Sequence, residues 1–204
     1  MKLHWSPRSP YVRLVMVAAH EQGLAGRIET VRTVVGGTIV HRGLMEENPL
    51  GKIPTLVLPD GTILFDSRVI CEYLDSIAQG MRLFPPWPER VTALRRLALG
   101  IGMLDVALAW SGERRRPEER RSADHIALWH TKIIACLDAL EHESDSLDRD
   151  AFSIGHVGIG VAVSYLDFRF AELEWREGRA QLAAWQMAFD YRPSVRANPW
   201  VDDS

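Results

Sequence analysis

The chain has 204 residues, 47% of them apolar, which is enough to bury one large core or two small ones. Its formal net charge of −3 at pH 7 argues against the broad basic surface that nucleic-acid binding requires. The two cysteines, Cys71 and Cys136, are far apart and form no C-x-x-C pair, so the sequence supports neither a disulfide framework nor a zinc site.

The beginning of the chain shows no apolar signal region, and no apolar run approaches the ~18 residues that cross a bilayer. We therefore expect a cytoplasmic protein with no metal, no membrane partner and no nucleic-acid partner.

Strand and helix patterns alternate over residues 1–78. A short strand at residues 2–5 is followed by a helix that opens at Ser9-Pro10, with Pro at its first position, and stops at Gly23. Apolar residues alternate with polar ones over residues 27–33, which predicts a second strand.

An irregular segment is expected from Gly36 to Gly51. Two apolar runs, 53–58 and 62–65, then flank an Asp-Gly turn and predict a β-hairpin. Ser67 is expected to be the N-cap of the helix that follows. Strands joined by a helix pair in parallel and a hairpin adds antiparallel strands, so the pattern predicts a mixed sheet.

Prolines at positions 85, 86 and 88 predict a break in helical structure, because proline is excluded from helix interiors. Beyond them the apolar spacing is helical, and the most apolar stretch, residues 154–170, predicts a central buried helix. We predict a first domain at 1–78, a linker at 79–88 and an all-helical domain at 89–204.

Three short features at the predicted sheet carry candidate chemistry. Ser9 lies at a helix start, where unpaired N–H groups favour an anion such as a thiolate, although the residue taken alone is better explained as a plain helix cap. The Ile53-Pro54 bond is a candidate cis peptide, the alternative being an ordinary trans proline. Asp66 and Ser67 begin a helix and form a candidate cradle for the charged ends of an amino acid, or an ordinary cap.

The string Asn-Pro-Leu-Gly-Lys-Ile-Pro-Thr-Leu at 48–56, followed by Asp66-Ser67, resembles the N-terminal domain of cytosolic glutathione S-transferases. In the helical half, residues 116–119, 165–169 and 192–195 are similar to bacterial members of that family. The resemblance implies a thioredoxin-like domain with a mixed four-stranded sheet, followed by an all-helical domain.

The resemblance also implies roles for individual residues. Ser9 matches the serine that donates a hydrogen bond to the glutathione sulfur in serine-type classes, and is the expected catalytic residue. The main chain of Ile53, presented by cis-Pro54, is expected to bind the cysteinyl unit, and Asp66 with Ser67 the γ-glutamyl end.

The resemblance leaves other contacts open. His41 or Arg42 could meet the glycine carboxylate of glutathione, although a solvated loop explains them equally. The candidates for the electrophile pocket are aromatic or basic: Trp5, Arg8, Tyr11, Trp110 and Tyr165.

The family suggests an enzyme, a glutathione transferase that detoxifies small, mostly apolar electrophiles as a homodimer, with glutathione as co-substrate and no metal. The identity of the electrophile stays open. Some proteins of this architecture are instead non-catalytic glutathione-binding or scaffold proteins of the stress response. Retention of Ser9, Ile53, Asp66 and Ser67 together favours the enzyme.

One position departs from the family pattern. The central helix usually begins with Ser/Thr-x-x-Asp, and here the motif is Ser153-Ile-Gly-His156. A neutral imidazole can accept the reciprocal hydrogen bond only through its unprotonated nitrogen.

Overall fold

The computed structural model describes residues 1–37 and 39–203 and divides into two compact units. The first unit comprises Met1–Pro86 together with the C-terminal segment from Pro193 onward, and the second is Trp87–Arg192. The predicted helical domain spans residues 89–204, whereas the segment from Pro193 packs with the first unit. No helix in the described part of the chain is long and apolar enough to span a bilayer.

The first unit has a four-stranded sheet flanked by helices. Its elements are β1 (Lys2–Trp5), α1 (Pro10–Glu21), β2 (Glu29–Arg32), α2 (Arg42–Glu47), β3 (Thr55–Val57), β4 (Ile63–Leu64), α3 (Ser67–Ile77) and α8 (Pro193–Arg196). The strand order is β2-β1-β3-β4. β1 is parallel to β2 and antiparallel to β3, and β4 is antiparallel to β3, so the predicted mixed sheet is confirmed.

Helix α1 forms where the sequence predicts it. Ser9 is its N-cap, Pro10 occupies the first turn, and the chain turns away at Gly23 with φ of 69°, a conformation that favours glycine. Its apolar face packs on α3, and fully buried side chains such as Leu14 and Leu74 form the core between the two helices and the sheet.

Helix α2 lies inside the segment from Gly36 to Gly51, for which the sequence predicts no regular structure. Only Leu44 of its six residues is buried, so the helix has no apolar stripe that a periodicity search could detect. His41 caps it instead, with Nδ1 accepting the Leu44 N–H at 3.0 Å. At the other end, the Glu47 carboxylate contacts Lys2 Nζ at 2.6 Å and His4 Nε2 at 2.7 Å, which fixes α2 to β1.

The second unit is helical. Its elements are α4 (Arg90–Arg114), α5 (Ala123–Arg149), α6 (Ile154–Arg169) and α7 (Ala180–Asp190). Residues 154–166 are all buried, which confirms the predicted central helix. α6 packs closely on α4, because a Cβ added to Gly100 would lie 2.4 Å from the carbonyl carbon and oxygen of Gly158. The two helices therefore meet backbone to backbone.

The start of α6 shows how His156 replaces the usual carboxylate. Its Nδ1 accepts the Ser153 N–H at 3.0 Å, and its Nε2 lies 3.1 Å from the Leu147 carbonyl oxygen. Nε2 therefore carries the proton that it donates to Leu147. Burial, with a smaller contribution from the Arg96 charge, lowers the pKa of His156 to about 4, so the ring is neutral at pH 7.

Candidate functional site at the edge of the sheet

The sheet topology brings the predicted site residues to one edge. β4 and β1 run in the same direction, and β3 runs opposite, with Thr55 paired to His4. The end of β1, the end of β4 and the start of β3 therefore share an edge. Ser9 follows β1, Ile53 precedes β3, and Asp66 with Ser67 follows β4. Because α1 and α3 both begin after parallel strands, both direct their N-terminal N–H groups toward this edge.

Ser9 is the N-cap of α1, so the structural role predicted for it is confirmed. Its Oγ accepts the Val12 N–H at 3.3 Å, and the residue is half-buried. A hydroxyl carries one proton besides its two acceptor lone pairs. Among the described residues, no hydrogen bond uses the Ser9 hydroxyl as a donor, so that proton can be donated to a ligand at the helix start.

The Ile53-Pro54 peptide bond is cis, as predicted. Ile53 is 7% exposed, and within residues 1–37 and 39–203 no hydrogen bond uses its main-chain N–H or C=O. A buried peptide group without a partner costs free energy unless a ligand or water satisfies it. The main chain of Ile53 is therefore suited to pairing with an extended peptide ligand.

Asn48 is a residue whose role our sequence analysis missed. It is 1% exposed, and its Nδ2 donates to the Lys52 carbonyl at 3.1 Å and to Thr55 Oγ1 at 2.9 Å. These bonds hold the chain on both sides of the Ile53-Pro54 peptide bond. The residue belongs to the Asn-Pro-Leu-Gly-Lys string that carried the resemblance, so the signal was present but unassigned.

Asp66, rather than Ser67, is the N-cap of α3, which corrects the sequence prediction by one residue. Its Oδ1 accepts the Arg68 N–H at 3.0 Å, and its Oδ2 lies 2.8 Å from Arg68 Nη2. The two carboxylate oxygens thus accept from both the main chain and the side chain of Arg68. The hydrogen bond from the Arg68 side chain is the main cause that lowers the pKa of Asp66.

Ser67 is then the first helical residue of α3 and is 2% exposed. In the part of the chain that the structure describes, its hydroxyl takes part in no hydrogen bond. The two predicted γ-glutamyl contacts thus offer a carboxylate and a hydroxyl side by side at a helix N-terminus, where a ligand carboxylate is favoured.

The glycine-end candidates lie on α2. Arg42 is its exposed first residue, and His41 uses Nδ1 as the cap described above. The structure gives neither residue a contact that identifies it as a carboxylate ligand, so the role of Arg42 stays a prediction.

The pocket candidates divide between the two units. Trp5, Arg8 and Tyr11 are half-buried and surround Ser9 in sequence. Trp110, which is 7% exposed, packs its ring 4.5 Å from that of Phe170, centroid to centroid. Tyr165 is 2% exposed, and burial raises its pKa. The last two are thus core residues of the helical unit, and a substrate-pocket role for any of the candidates stays a prediction.

Neither cysteine adds a reactive thiol to this edge. Cys71 is buried in α3, and burial raises the pKa of its thiol well above its usual range. Burial also raises the pKa of Cys136. Residues 1–37 and 39–203 contain no group of three or more His, Cys, Asp or Glu side chains placed to hold a metal ion.

A mixed sheet in the order β2-β1-β3-β4, with a cis-proline before β3 and a separate helical unit, defines the class of thioredoxin-like proteins with a glutathione-transferase architecture. Two family models match the chain: "Glutathione S-transferase, N-terminal domain" at residues 8–77 and "Glutathione S-transferase, C-terminal domain" at residues 123–185. The GST-like protein YibF of Escherichia coli K12 is 31% identical over 185 residues, which cover 89% of this chain and 90% of that protein. The chain belongs to the glutathione S-transferase family.

Solved structures extend the similarity to nearly the whole chain. A glutathione transferase family member from Pseudomonas fluorescens Pf-5, crystallised with bound glutathione, superposes with a TM-score of 0.94 at 36% identity over 98% of this chain and 99% of that one. A glutathione S-transferase from Methylobacillus flagellatus KT with glutathione bound gives a TM-score of 0.90 at 32% identity over 98% and 99% of the two chains.

A second curated relative matches only in part. The stringent starvation protein A homolog of Pasteurella multocida is 40% identical over 91 residues, which is 45% of this chain and 41% of that protein.

Proposed function

We propose that the chain is a glutathione transferase, which activates the glutathione thiol at Ser9 and conjugates it to a small, mostly apolar electrophile. The observation that carries the proposal is the hydrogen bonding of the Ser9 hydroxyl. It is oriented by the hydrogen bond that it accepts from Val12, and it keeps its own proton for a ligand at the edge where Ile53 and Ser67 also lie. Solved relatives with bound glutathione support this ligand.

The chemistry follows from the acidity of the thiol. A free cysteine-type thiol has a pKa of ~8.5, so only a few per cent is ionised at neutral pH. A hydroxyl hydrogen bond to an anion contributes about 1.5–3 kcal/mol, and the helix N-terminus adds to it. Since one pKa unit corresponds to about 1.4 kcal/mol, the two together lower the thiol pKa by roughly one to two units.

The reaction then needs no covalent step on the protein. The thiol proton leaves to solvent, the sulfur forms a bond to the electrophilic carbon, and the leaving group departs with its electron pair. Ser9 stabilises the thiolate as a hydrogen-bond donor and is not itself a nucleophile.

The test is Ser9→Ala, assayed with glutathione and a dinitro-halobenzene. We expect kcat to fall about tenfold at neutral pH, because the part of the thiolate stabilisation that comes from the hydroxyl is lost while the helix N-terminus remains, and we expect the KM for glutathione to change less than about twofold. Ser9→Thr keeps a hydroxyl and should recover most of the activity. Equal turnover in Ser9→Ala and the wild type would refute the role.

A companion variant separates the catalytic role of Ser9 from its capping role. Ser9→Ala also removes an N-cap worth about 1 kcal/mol, whereas glycine at an N-cap costs only a few tenths. Ser9→Gly should therefore be as inactive as Ser9→Ala but nearly as stable as the wild type. A Ser9→Gly protein that kept its turnover would show that the hydroxyl acts only as a cap.

We propose that Ser67, with Asp66, binds the γ-glutamyl end of glutathione. Ser67→Ala should raise the KM for glutathione about tenfold, which corresponds to one lost hydrogen bond to a charged group, with kcat little changed. Ser76→Ala on the exposed part of the same helix is the control and should leave KM unchanged. An unaltered KM in Ser67→Ala would remove this residue from the site.

A second candidate is a non-catalytic glutathione-binding protein of the stress response. The observation that favours it is the partial similarity to the stringent starvation protein A homolog. Retention on glutathione resin without turnover of any electrophile in a panel would support this candidate, whereas measurable conjugation that depends on Ser9 would support the transferase.

We also propose that the protein acts as a homodimer, as the family resemblance implies. Exposed apolar side chains on α3 and α4 support this, because Val69 is 46% and Val91 is 54% exposed. Light scattering coupled to size-exclusion chromatography tests it, and a monomer at assay concentration would contradict it.

A further inference from the structure

The C-terminal tail, defined as residues 193–203, follows α1 from its end back to its beginning. Ser194 donates a hydrogen bond to the carboxylate of Glu21, the last residue of α1. Asn198 receives a bond from Arg13, one turn after the start of α1. Asp203 contacts Arg8, in the loop before the helix. The tail therefore runs antiparallel to α1, and it ends at the loop that carries Ser9.

Arg13 is the central anchor of this arrangement. It is 7% exposed, its Nη1 donates to the Asn198 carbonyl, and its guanidinium carbon lies 4.3 Å from the ring centroid of Trp200. A buried guanidinium is stabilised by such carbonyl and aromatic contacts. The main-chain N–H of Arg13 also donates to the Ser9 carbonyl at 3.0 Å. The tail is thus connected through one residue to the backbone of Ser9.

Asp203 provides the second anchor. Its carboxylate pairs with the guanidinium of Arg32, the last residue of β2, and lies 3.6 Å from Nε of Arg8. Arg8 directly precedes Ser9 in the chain. The carboxylate therefore joins the end of β2 to the loop between β1 and α1, at the edge of the sheet that holds the candidate site.

Between the two anchors, the tail and the loop are not close-packed. A cavity of about 200 Å³ separates Trp5 at the end of β1, with Ser6 and Pro7 of the loop, from tail residues such as Pro199 and Val201. The loop is consequently held by separate polar and aromatic contacts rather than by continuous packing. Loss of one anchor should loosen the loop without unfolding the unit.

We propose that the C-terminal tail positions the Ser9 hydroxyl, with Trp200 acting through Arg13 as a positioning residue. The inference rests on the proposed function, because it gives the tail a role in activating the thiol that Ser9 contacts. Trp200 does not touch the thiol itself. It fixes the first turn of α1, and through it the direction in which the hydroxyl donates.

The test measures the pKa of the glutathione thiol in the complex, from the ultraviolet absorbance of the thiolate as a function of pH. In Trp200→Leu, which changes no charge, we expect this pKa to rise by about half a unit to one unit, and kcat below that pKa to fall about three- to tenfold. The KM for glutathione should change less than about twofold. Trp200→Phe keeps an aromatic face for Arg13 and should restore both values.

Two further variants keep the test decisive. Val201→Ala removes apolar atoms from the same tail at a position that is 48% exposed, and it should leave the thiol pKa unchanged. If Trp200→Leu does not fold, Asn198→Ala replaces it, since it removes only the 2.7 Å bond from Nδ2 to the Ser194 carbonyl and loosens the tail. This milder variant should shift the thiol pKa in the same direction by a smaller amount.

The outcomes separate this inference from the proposed function. A thiol pKa that is raised in Ser9→Ala but unchanged in folded Trp200→Leu and Asn198→Ala overturns the positioning role and leaves the transferase intact. A thiol pKa that is the same in Ser9→Ala and the wild type overturns the proposed function itself. A rise in KM alone in Trp200→Leu means that the tail affects binding and not Ser9, which also overturns the inference.

Discussion

The edge of the sheet and the interface between α4 and α6 use the backbone in opposite ways. At the edge, Ile53 and Ser67 are buried, yet they keep hydrogen-bonding groups that no other described residue uses. At the helical interface, Gly100 and Gly158 have no side chains, and the two main chains fill the space completely. The first region keeps groups that a ligand can use, and the second leaves no room for a ligand.

This difference separates the sources of function and stability. Donors and acceptors that no described residue uses contribute nothing to stability at the edge, because a hydrogen bond stabilises the fold only where it is formed. Close packing between α4 and α6 contributes dispersion and apolar burial. Substitutions at the edge should therefore change ligand binding more than stability, and substitutions at the helical interface should do the reverse.

The largest effect is expected at Gly100. A methyl group there would lie 2.4 Å from the backbone of Gly158, so Gly100→Ala forces α4 and α6 apart. We expect the free energy of unfolding to fall by about 3 kcal/mol or more, measured by urea denaturation. Gly102→Ala is the matched control in the same helix, where an added Cβ would meet no described atom within 4 Å beyond its chain neighbours and the nearby backbone of its own helix. Gly102→Ala should raise the free energy of unfolding by about 0.5–1 kcal/mol. Equal effects in the two variants would contradict the close approach of α4 and α6 at Gly100.

The next effect concerns pH and the start of α6. The pKa of His156 is lowered from 6.5 to about 4 in the folded protein, so folding favours the neutral ring. The stabilisation from this group is present above pH 6.5 and is lost as the pH falls from 6.5 toward 4. We expect a loss of about 2 kcal/mol between pH 7 and pH 5 from this residue.

His156→Gln provides the comparison, since glutamine also suits the third position of a capping box but does not titrate. Its free energy of unfolding should depend less on pH between 7 and 5 than that of the wild type. Identical pH profiles for the two proteins would show that His156 is not held neutral by its surroundings.

A smaller effect is expected at Asp75, which stabilises the first unit away from the site. Its Oδ1 accepts the Leu83 N–H at 2.6 Å and the Gln22 amide at 2.9 Å. Asp75→Asn keeps an acceptor but loses its charge, so we expect a loss of about 1 kcal/mol with an unchanged affinity for glutathione. Asp148→Asn at an exposed position of α5 is the control, and it should change neither quantity. A loss of glutathione affinity in Asp75→Asn would show that stability and binding are not separable in this unit.

Features set by local turn chemistry were predictable from the sequence. A serine before proline predicts the start of α1, and the Asp-Gly turn predicts the hairpin of β3 and β4. The predicted start of α3 is off by one residue because Asp66 and Ser67 are both good caps, and the extended backbone of Asp66 makes it the residue that accepts the Arg68 N–H.

Features set by contacts between distant residues were not predictable. Nothing local indicates that Gly100 and Gly158 face each other, since a glycine inside a helix pattern normally only lowers helix propensity. The helix α2 depends on His41 and on ion pairs from Glu47 to β1 rather than on an apolar stripe. The roles of Arg42 and of the pocket candidates stay predictions for the same reason, because they depend on which ligand atoms meet them.

The return of the tail to the first unit has a consequence for synthesis of the protein. The unit built around the sheet consists of the first part of the chain and the last, so it is discontinuous in sequence. Domains usually fold as units while the ribosome is still extending the chain, with the N-terminal one first. Here Arg13 and Arg8 must wait for partners that are translated after the whole helical unit, so the loop before α1 acquires these contacts only once that unit has been synthesised.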